Sequence, residues 1–373
     1  MSAAPELPVL LHTAAFQLRQ VLGCSVVIFT KPGSEPLWIA SANVGVPRED
    51  LLHVRYERGD RLITRLESGE FVEDGDLPPR AVMAVPVRRR EELIALISLG
   101  RTPLGEAFGD SERDLLIAMA DQLGLHIENF RLREQDWELS RVRELQERLL
   151  PKSQAGVHGY DIAHVWRPAR SVSGDYFDVI DLGDGKLAVC IGDVIGKGMP
   201  AALLMSNVQA AVKAVASPDM QPSELCARVN RVLAGNLAAG SFVTFFYSVM
   251  DSATGQLTYT NAGHSAPILV RKDGTILRLE HGGALLGVFK NWAFQQARLD
   301  LQPGDRLLLF TDGITELKDD TEEEFGEERV ERVVAKHRAA SAAELKDRVL
   351  AEVSDFANGA FEDDVTVVVV AVN

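Results

Sequence analysis

Between Gly109 and Pro151 the chain reads as one uninterrupted helix. From Asp110 to Leu150 it holds a single glycine, Gly124, and no proline, so nothing beyond Gly124 breaks the backbone ladder. Asp110 is placed as the N-cap, with Arg113 and Asp114 in the first turn, and Pro151 ends the helix. Apolar residues recur at Leu116, Met119, Leu123, Ile127 and Phe130, then at Trp137, and again at Val142, Leu145 and Leu149. That is one seam, a phase slip across residues 133–140, and a second seam. Residues 134–150 are charged on most faces and carry the thin stripe of a two-stranded coiled coil. The competing reading is a solvated helix lying on one domain. A helix this long has few places to bury both seams in a monomer, so the expectation is a homodimer joined along it.

The helix divides the chain into an expected N-terminal domain at 4–130, a helical linker at 131–150 and a C-terminal domain at 151–373. Before it, the order is helix (7–22), strands (24–30 and 37–42), helix (61–68) and a hairpin (81–87 and 93–99). A turn-rich segment at 31–36 separates the first two strands. That describes a small α/β domain of sensory type. After Pro151, strands are expected at 161–167, 176–181, 187–193, 242–251, 256–261, 267–271, 306–310 and 365–372. Helices are expected at 200–215, 222–237, 323–337 and 342–356. Strands that are mostly antiparallel, with helices in pairs, imply an α+β architecture of packed sheets flanked by helices.

Composition excludes several classes. Lys and Arg total 39 against 54 Asp and Glu, a net charge of −15, which leaves no basic stripe for nucleic acid. An acidic chain can act on phosphate only if metal ions supply the positive charge. No apolar run approaches the length of a membrane span, and residues 1–10 lack the basic start of a signal peptide. Cys24, Cys190 and Cys226 stand apart among apolar neighbours, as buried thiols rather than disulfides or a zinc site. A cytoplasmic protein is expected.

Four acidic clusters fall at the ends of expected strands: Ser173-Gly174-Asp175-Tyr176-Phe177-Asp178, Gly192-Asp193-Val194, Thr311-Asp312-Gly313 and Glu362-Asp363-Asp364-Val365-Thr366. Any one of them alone reads as a turn former. As a series, Asp175, Asp193, Asp312 and Asp363 all stand where a packed core should begin. If the strands form one sandwich, these ends converge, and converging carboxylates need a hard cation to neutralise them. An oxygen-only set with no His or Cys at metal spacing suits Mg²⁺ or Mn²⁺ rather than Zn²⁺. Two such ions make a hydrolytic site for phosphate esters. Gly192, Gly196 and Gly198 are expected to let the backbone approach them.

These segments, with Gly192-Asp193-Val194-Ile195-Gly196-Lys197-Gly198-Met199-Pro200-Ala201-Ala202 and Asn261-Ala262-Gly263-His264, resemble the SpoIIE-type bacterial serine phosphatases. That is a branch of the metal-dependent, type 2C-like protein phosphatases. The likeness runs from about Leu150 to Asn373 with the motifs in order. It implies a β-sandwich between helical layers and two Mn²⁺ or Mg²⁺ ions. It implies that Asp193 bridges the ions, that the Val194 carbonyl helps to hold one, and that Asp312 and Asp363 hold the other. Asp175 contributes from the first motif. It further implies phosphoserine or phosphothreonine substrates on a small anti-sigma-factor antagonist, of STAS type, hydrolysed by direct attack of activated water without a phosphoenzyme.

Two departures stand out: Ile195 occupies a position where eukaryotic type 2C enzymes have His, and Lys197 one where many relatives have His. The general acid is therefore unassigned. His264 reads as a structural turn histidine or a catalytic one. Asp178, Asp364 and Gly313 read as supporting residues. Arg167 and Arg170, upstream of Asp175, read as a phosphate grip or as surface arginines. The segment 4–130 resembles a GAF domain by its order of elements, with no evident ligand signature, and Arg88-Arg89-Arg90 reads as a solvated hairpin tip. Two other functions are weighed. The first is a nucleotide cyclase, from the likeness of residues 173–177 to a GGDEF hairpin, though a cyclase has no use for Asp312 or Asp363. The second is a non-catalytic sensor or scaffold that keeps the phosphatase fold.

Overall fold

The computed structural model describes residues 7–31, 37–151, 159–235, 237, 240–359, 361 and 363–373, and every count below refers to these. Residues 32–36 of the turn expected at 31–36, residues 4–6 of the expected first domain and Glu362 lie outside them. The chain divides into two compact units, Met1–Asp136 and Trp137–Asn373.

The first unit runs α1 (Leu7–Leu22), β1 (Val26–Thr30), β2 (Trp38–Val44), β3 (Arg55–Tyr56), α2 (Arg61–Glu67), β4 (Ala81–Arg89) and β5 (Glu92–Gly100), then enters α3 (Asp110–Leu149). Its antiparallel sheet has the order β3-β2-β1-β5-β4. Alternation sorts the two faces: Val26 and Ile28 join Leu11, Leu18, Leu116, Leu123 and Ile127, whereas Val27 and Phe29 join Trp38, Leu62 and Leu66. Both faces are covered, so each strand of the pair β1 and β5 reads as a nearly continuous apolar run.

Two local expectations change here. Asp110 is the first helical residue rather than the cap, and the Glu112 carboxylate accepts the Gly109 N–H at 3.0 Å. The arginines at 88–90 are not simply solvated. Arg89 pairs with Glu128 of α3 at 2.7 Å beside a cavity of about 710 Å³, the Arg88 Nε is buried without a partner, and only Arg90 forms the exposed turn.

The second unit begins in the last turns of α3 and continues β6 (Tyr160–Arg167), β7 (Tyr176–Gly183), β8 (Lys186–Val194), α4 (Met199–Val215), α5 (Pro222–Leu233), β9 (Val243–Asp251), β10 (Gln256–Ala262), β11 (Ile268–Val270), β12 (Ile276–Arg278), β13 (Gly282–Gly283), β14 (Ala297–Asp300), β15 (Arg306–Phe310), α6 (Glu327–Lys336), α7 (Ala342–Phe356) and β16 (Val365–Val372). One sheet orders β13-β10-β9-β8-β7 with β14 also on β10; the other orders β12-β11-β15-β16-β6. The sheets share a core: Val368 and Val370 of β16 join Leu187 and Ile191 of β8 and Met205 of α4. The opposite side of β16, with Val367 and Val369, packs on Val330 of α6 and Leu345 and Val349 of α7. The result is a sandwich with a helical layer on each side, the expected α+β fold.

The edge strands β3, β12, β13 and β14 are absent from the sequence reading because they are short and half exposed. Helix α5 stops at Leu233, and α6 starts at Glu327 because Lys318 and Glu324 bridge and Gly326 turns with φ 73°. Gln146 on the last turn of α3 and Leu150 just after it are buried, whereas Trp137 and Leu145 stay exposed. No helix of the described residues is long and apolar enough to cross a membrane.

Candidate metal centre

Asp193 and Asp312 arrive from different sheets. Asp193 is the penultimate residue of β8, and Asp312 follows the end of β15. Asp175 precedes β7, and Asp363 and Asp364 precede β16, so four strands deliver carboxylates to one end of the sandwich. Close approach there demands glycine. A Cβ on Gly313 would sit 2.0 Å from the Asp364 carbonyl, and one on Gly174 would sit 3.0 Å from the Val194 carbonyl. Gly196 and Gly198 have open space around them; their glycine is required by φ of 103° and 78°, a turn requirement rather than a close approach.

The electrostatics follow from that crowding. Burial, and then the charges of Asp312 and Asp363, push the Asp193 carboxyl up to about 7. Asp175, fully enclosed and beside Asp193, is raised well above the ordinary carboxylate range, chiefly by burial. Asp312 is raised by burial and then by Asp363. Such a set binds protons or cations.

Each carboxylate nonetheless has its own partners. Asp175 Oδ2 accepts the Thr366 hydroxyl at 2.6 Å and the Thr311 hydroxyl at 2.9 Å. Asp364 accepts the main-chain N–H of Ala169 at 2.8 Å on one oxygen and of Gly174 at 3.0 Å on the other. Both its oxygens hold loops, whereas Asp363 Oδ2 lies 2.9 Å from Lys197 Nζ. Consistent with these diversions, no three His, Cys, Asp or Glu side chains of the described residues already converge as a metal cage. The donors are all hard oxygens, the class that Mg²⁺ and Mn²⁺ take, and the upward-shifted pKa values of Asp175, Asp193 and Asp312 mark crowded charge that a cation would neutralise; on both counts the residues fit such ions. A cleft of about 290 Å³ opens beside them, lined by Lys197, Gly313, Glu316, Leu317, Glu324 and Asp363.

The other predicted residues separate. Asp178 is buried on the α4 side, accepting the Tyr176 hydroxyl at 3.1 Å and facing Lys213 at 3.2 Å, away from the cluster. Arg167 is exposed at the end of β6, opposite Val365, with its guanidinium 4.2 Å over the Phe361 ring. Arg170 is exposed. His264 is buried, and burial lowers it to about 4, so it is neutral. It bridges Thr244 and the Phe310 carbonyl.

Sequence reasoning gave no role to Thr311 and Thr366, although both stand in the acidic clusters, and missed Thr244, Gln146 and Glu316. The last lies one helical turn past Asp312, with its N–H on the Asp312 carbonyl at 2.8 Å, and burial followed by the Asp312 charge raises its carboxyl. That i, i+4 spacing was the available signal.

Comparison with known proteins places this geometry. The profile of Stage II sporulation protein E (SpoIIE) matches residues 183–373, just over half of the chain. The chain belongs to the SpoIIE family. A GAF domain profile matches residues 6–129. Protein IcfG of Synechocystis sp. is 31% identical over 62% of this SpoIIE-family chain and 41% of its own length. Phosphoserine phosphatase RsbU of Bacillus subtilis is 31% identical over 62% of the chain and 69% of its own length. Among solved structures, the SiaA PP2C domain of Pseudomonas aeruginosa superposes with a TM-score of 0.58 at 20% identity, covering 65% of this chain and 99% of that one. The RsbU and RsbW domains of a Mycobacterium tuberculosis protein give 0.50 at 28% identity, covering 58% and 62%. The fold of the second unit is thus the PP2C fold, and the first unit is a GAF domain. The SpoIIE profile begins at Gly183, so Asp175 lies outside the matched segment.

Proposed function

We propose that this SpoIIE-family chain is a protein serine/threonine phosphatase that works with two divalent ions, Mn²⁺ or Mg²⁺. The observation that carries the reading is the meeting of Asp175, Asp193 and Asp312 from both sheets at one sandwich end, where burial and mutual repulsion raise their pKa values together. Its relative RsbU, named a phosphoserine phosphatase, supports it. Asp193, the Val194 carbonyl, Asp312 and Asp363 would hold the ions, with Asp175 contributing to the site. Asp363 rather than Asp364 is assigned because both Asp364 oxygens already hold main-chain N–H groups. When bound, the ions supply a lowered water pKa and charge for the phosphoryl oxygens.

The chain's own residues do the rest. The Thr311 and Thr366 hydroxyls fix the Asp175 carboxylate and Lys197 places a cation at the rim of the cleft, while the phosphate grip proposed for Arg167 and Arg170 would need Arg167 to leave the Phe361 ring. The substrate class proposed is phosphoserine or phosphothreonine on a small regulatory protein, an anti-sigma-factor antagonist of STAS type, in the cytoplasm. The control proposed is by the GAF domain through a homodimer along α3. Trp137 and Leu145, large and exposed on that helix, support a second copy there. Gln146 supports the connection to the site: its amide takes the Ser173 N–H at 3.2 Å and gives to the Ser173 carbonyl at 2.9 Å, two residues before Asp175.

Hydrolysis of p-nitrophenyl phosphate with added Mn²⁺ tests the activity. It should vanish with chelator and in Asp193→Ala; activity indifferent to chelator rejects the two-ion reading, and no hydrolysis by wild type favours the scaffold. Trapping partners with Asp193→Asn identifies the substrate. Deleting residues 1–130 should change activity or dimerisation; unchanged values for both reject the control.

A further inference from the structure

We propose that Thr244 and His264 are positioning residues of the metal centre, forming one directed strut that holds the main chain of Asp193 at a fixed distance from that of Asp312. The inference rests on the phosphatase reading above and adds to it a pair of residues that touch no ion and no substrate.

Stereochemistry fixes the direction of the strut. His264 Nε2 lies 3.1 Å from the carbonyl oxygen of Phe310. A carbonyl only accepts, so Nε2 carries the proton. The ring is neutral in this buried setting, so Nδ1 is left as an acceptor, and the Thr244 hydroxyl 2.8 Å away donates to it. The single hydroxyl proton is then committed, and Thr244 Oγ1 is free to accept. It takes the Asp193 N–H at 3.2 Å. The chain of donors runs Asp193 N–H to Thr244 Oγ1–H to His264 Nδ1, and His264 Nε2–H to Phe310 O. The Asp193 carbonyl lies farther from Thr244 Oγ1, at 3.4 Å, so the hydroxyl proton goes to the nearer ring nitrogen.

The placement gives the strut its use. Thr244 stands directly opposite Asp193 across β8 and β9, in one sheet. Phe310 ends β15 in the other sheet, two residues before Asp312. The strut therefore crosses the sandwich at the end where the carboxylates meet. His264 is itself held: the Asn261 side chain accepts the His264 N–H at 2.8 Å and donates to the His264 carbonyl at 3.0 Å and the Leu279 carbonyl at 3.1 Å. This gives the Asn261-Ala262-Gly263-His264 segment a role in setting carboxylate spacing. Groups that orient metal-binding carboxylates without touching the metal change affinity by roughly 10- to 100-fold when removed.

The test is Mn²⁺ affinity of the full-length protein, read by calorimetry or by the loss of the free-ion paramagnetic resonance signal, with circular dichroism to check folding. Thr244→Val keeps the shape and removes the hydroxyl; it should weaken Mn²⁺ binding by about tenfold or more. Thr244→Ser restores the hydroxyl and should bind within about threefold of wild type, the rescue that a packing role alone would not give. Should Thr244→Val fail to fold, Thr244→Ala is measured in its place with the same expectation. Wild-type affinity in a folded Thr244→Val or Thr244→Ala overturns the strut while leaving the phosphatase reading intact. A wild-type protein that binds no Mn²⁺ overturns both.

Discussion

Lys197 Nζ lies 2.9 Å from Asp363 Oδ2, both side chains about half exposed, so an ammonium of the chain neutralises the very carboxylate assigned to an ion. A divalent cation must compete with it. An exposed pair of this kind is worth about 1 kcal/mol or less. Lys197→Ala is expected to raise apparent Mn²⁺ affinity by up to about fivefold at low salt, with the gain shrinking as salt rises. Calorimetric titration at two ionic strengths checks it; weaker binding in the variant would show that Lys197 assists the ion.

Gly313 lies against the Asp364 carbonyl, where no side chain fits. Gly313→Ala should cost about 1–3 kcal/mol, since the blocking atom is main chain and cannot swing aside. Urea denaturation gives the number, and a midpoint equal to wild type would mean that the turn relaxes without cost.

Gln146→Leu preserves bulk but leaves the Ser173 N–H and carbonyl without their buried partner. A loss of about 1–3 kcal/mol in stability is expected. Mn²⁺ binding should weaken alongside, because the Ser173 hydroxyl accepts the Asp175 N–H at 3.0 Å. Glu144→Ala, on an exposed face of the same helix, serves as the control and should leave both unchanged.

Two buried groups give opposite pH dependences in the metal-free protein. His264 is held near 4 against an ordinary 6.5, so the unfolded chain binds the extra proton; its stability is present above 6.5 and is lost as pH falls toward 4. Asp193 is raised to about 7 from 3.8, so the folded chain holds the proton; its contribution is full below 3.8 and is lost as pH rises toward 7. A tenfold difference in proton affinity between the folded and unfolded chain corresponds to about 1.4 kcal/mol. Without metal, Asp193→Asn should therefore lose thermal stability more steeply than wild type between about pH 6.5 and 4.5. Parallel curves would mean that the Asp193 carboxyl is not strained by burial.

The sandwich and its strand ends were legible because apolar runs such as Val365–Val372 have few alternatives, and because an Asp at the mouth of such a run is conspicuous. The locks on those aspartates were hidden by their chemistry. Thr311 and Thr366 stand in the acidic clusters, but β-branched side chains suit strand ends whatever their hydroxyls do, so nothing marked them as partners of Asp175. Gln146 was invisible on a helix that is polar on most faces, where the apolar Leu145 next to it drew the seam and proved exposed. His264 was singled out by its motif, but its bonds join residues 20 and 46 positions away, which no local pattern reports.

Strand β16 sits between β15 and β6, so a central strand of its sheet follows every other described strand in sequence order. Until it docks, Thr366 cannot reach Asp175, and Asp364 cannot tie down Ala169 and Gly174, some 190 residues upstream. Contacts of such long sequence separation close slowly. A chain cut before Val365 would thus carry nearly all of its strands yet no assembled carboxylate cluster.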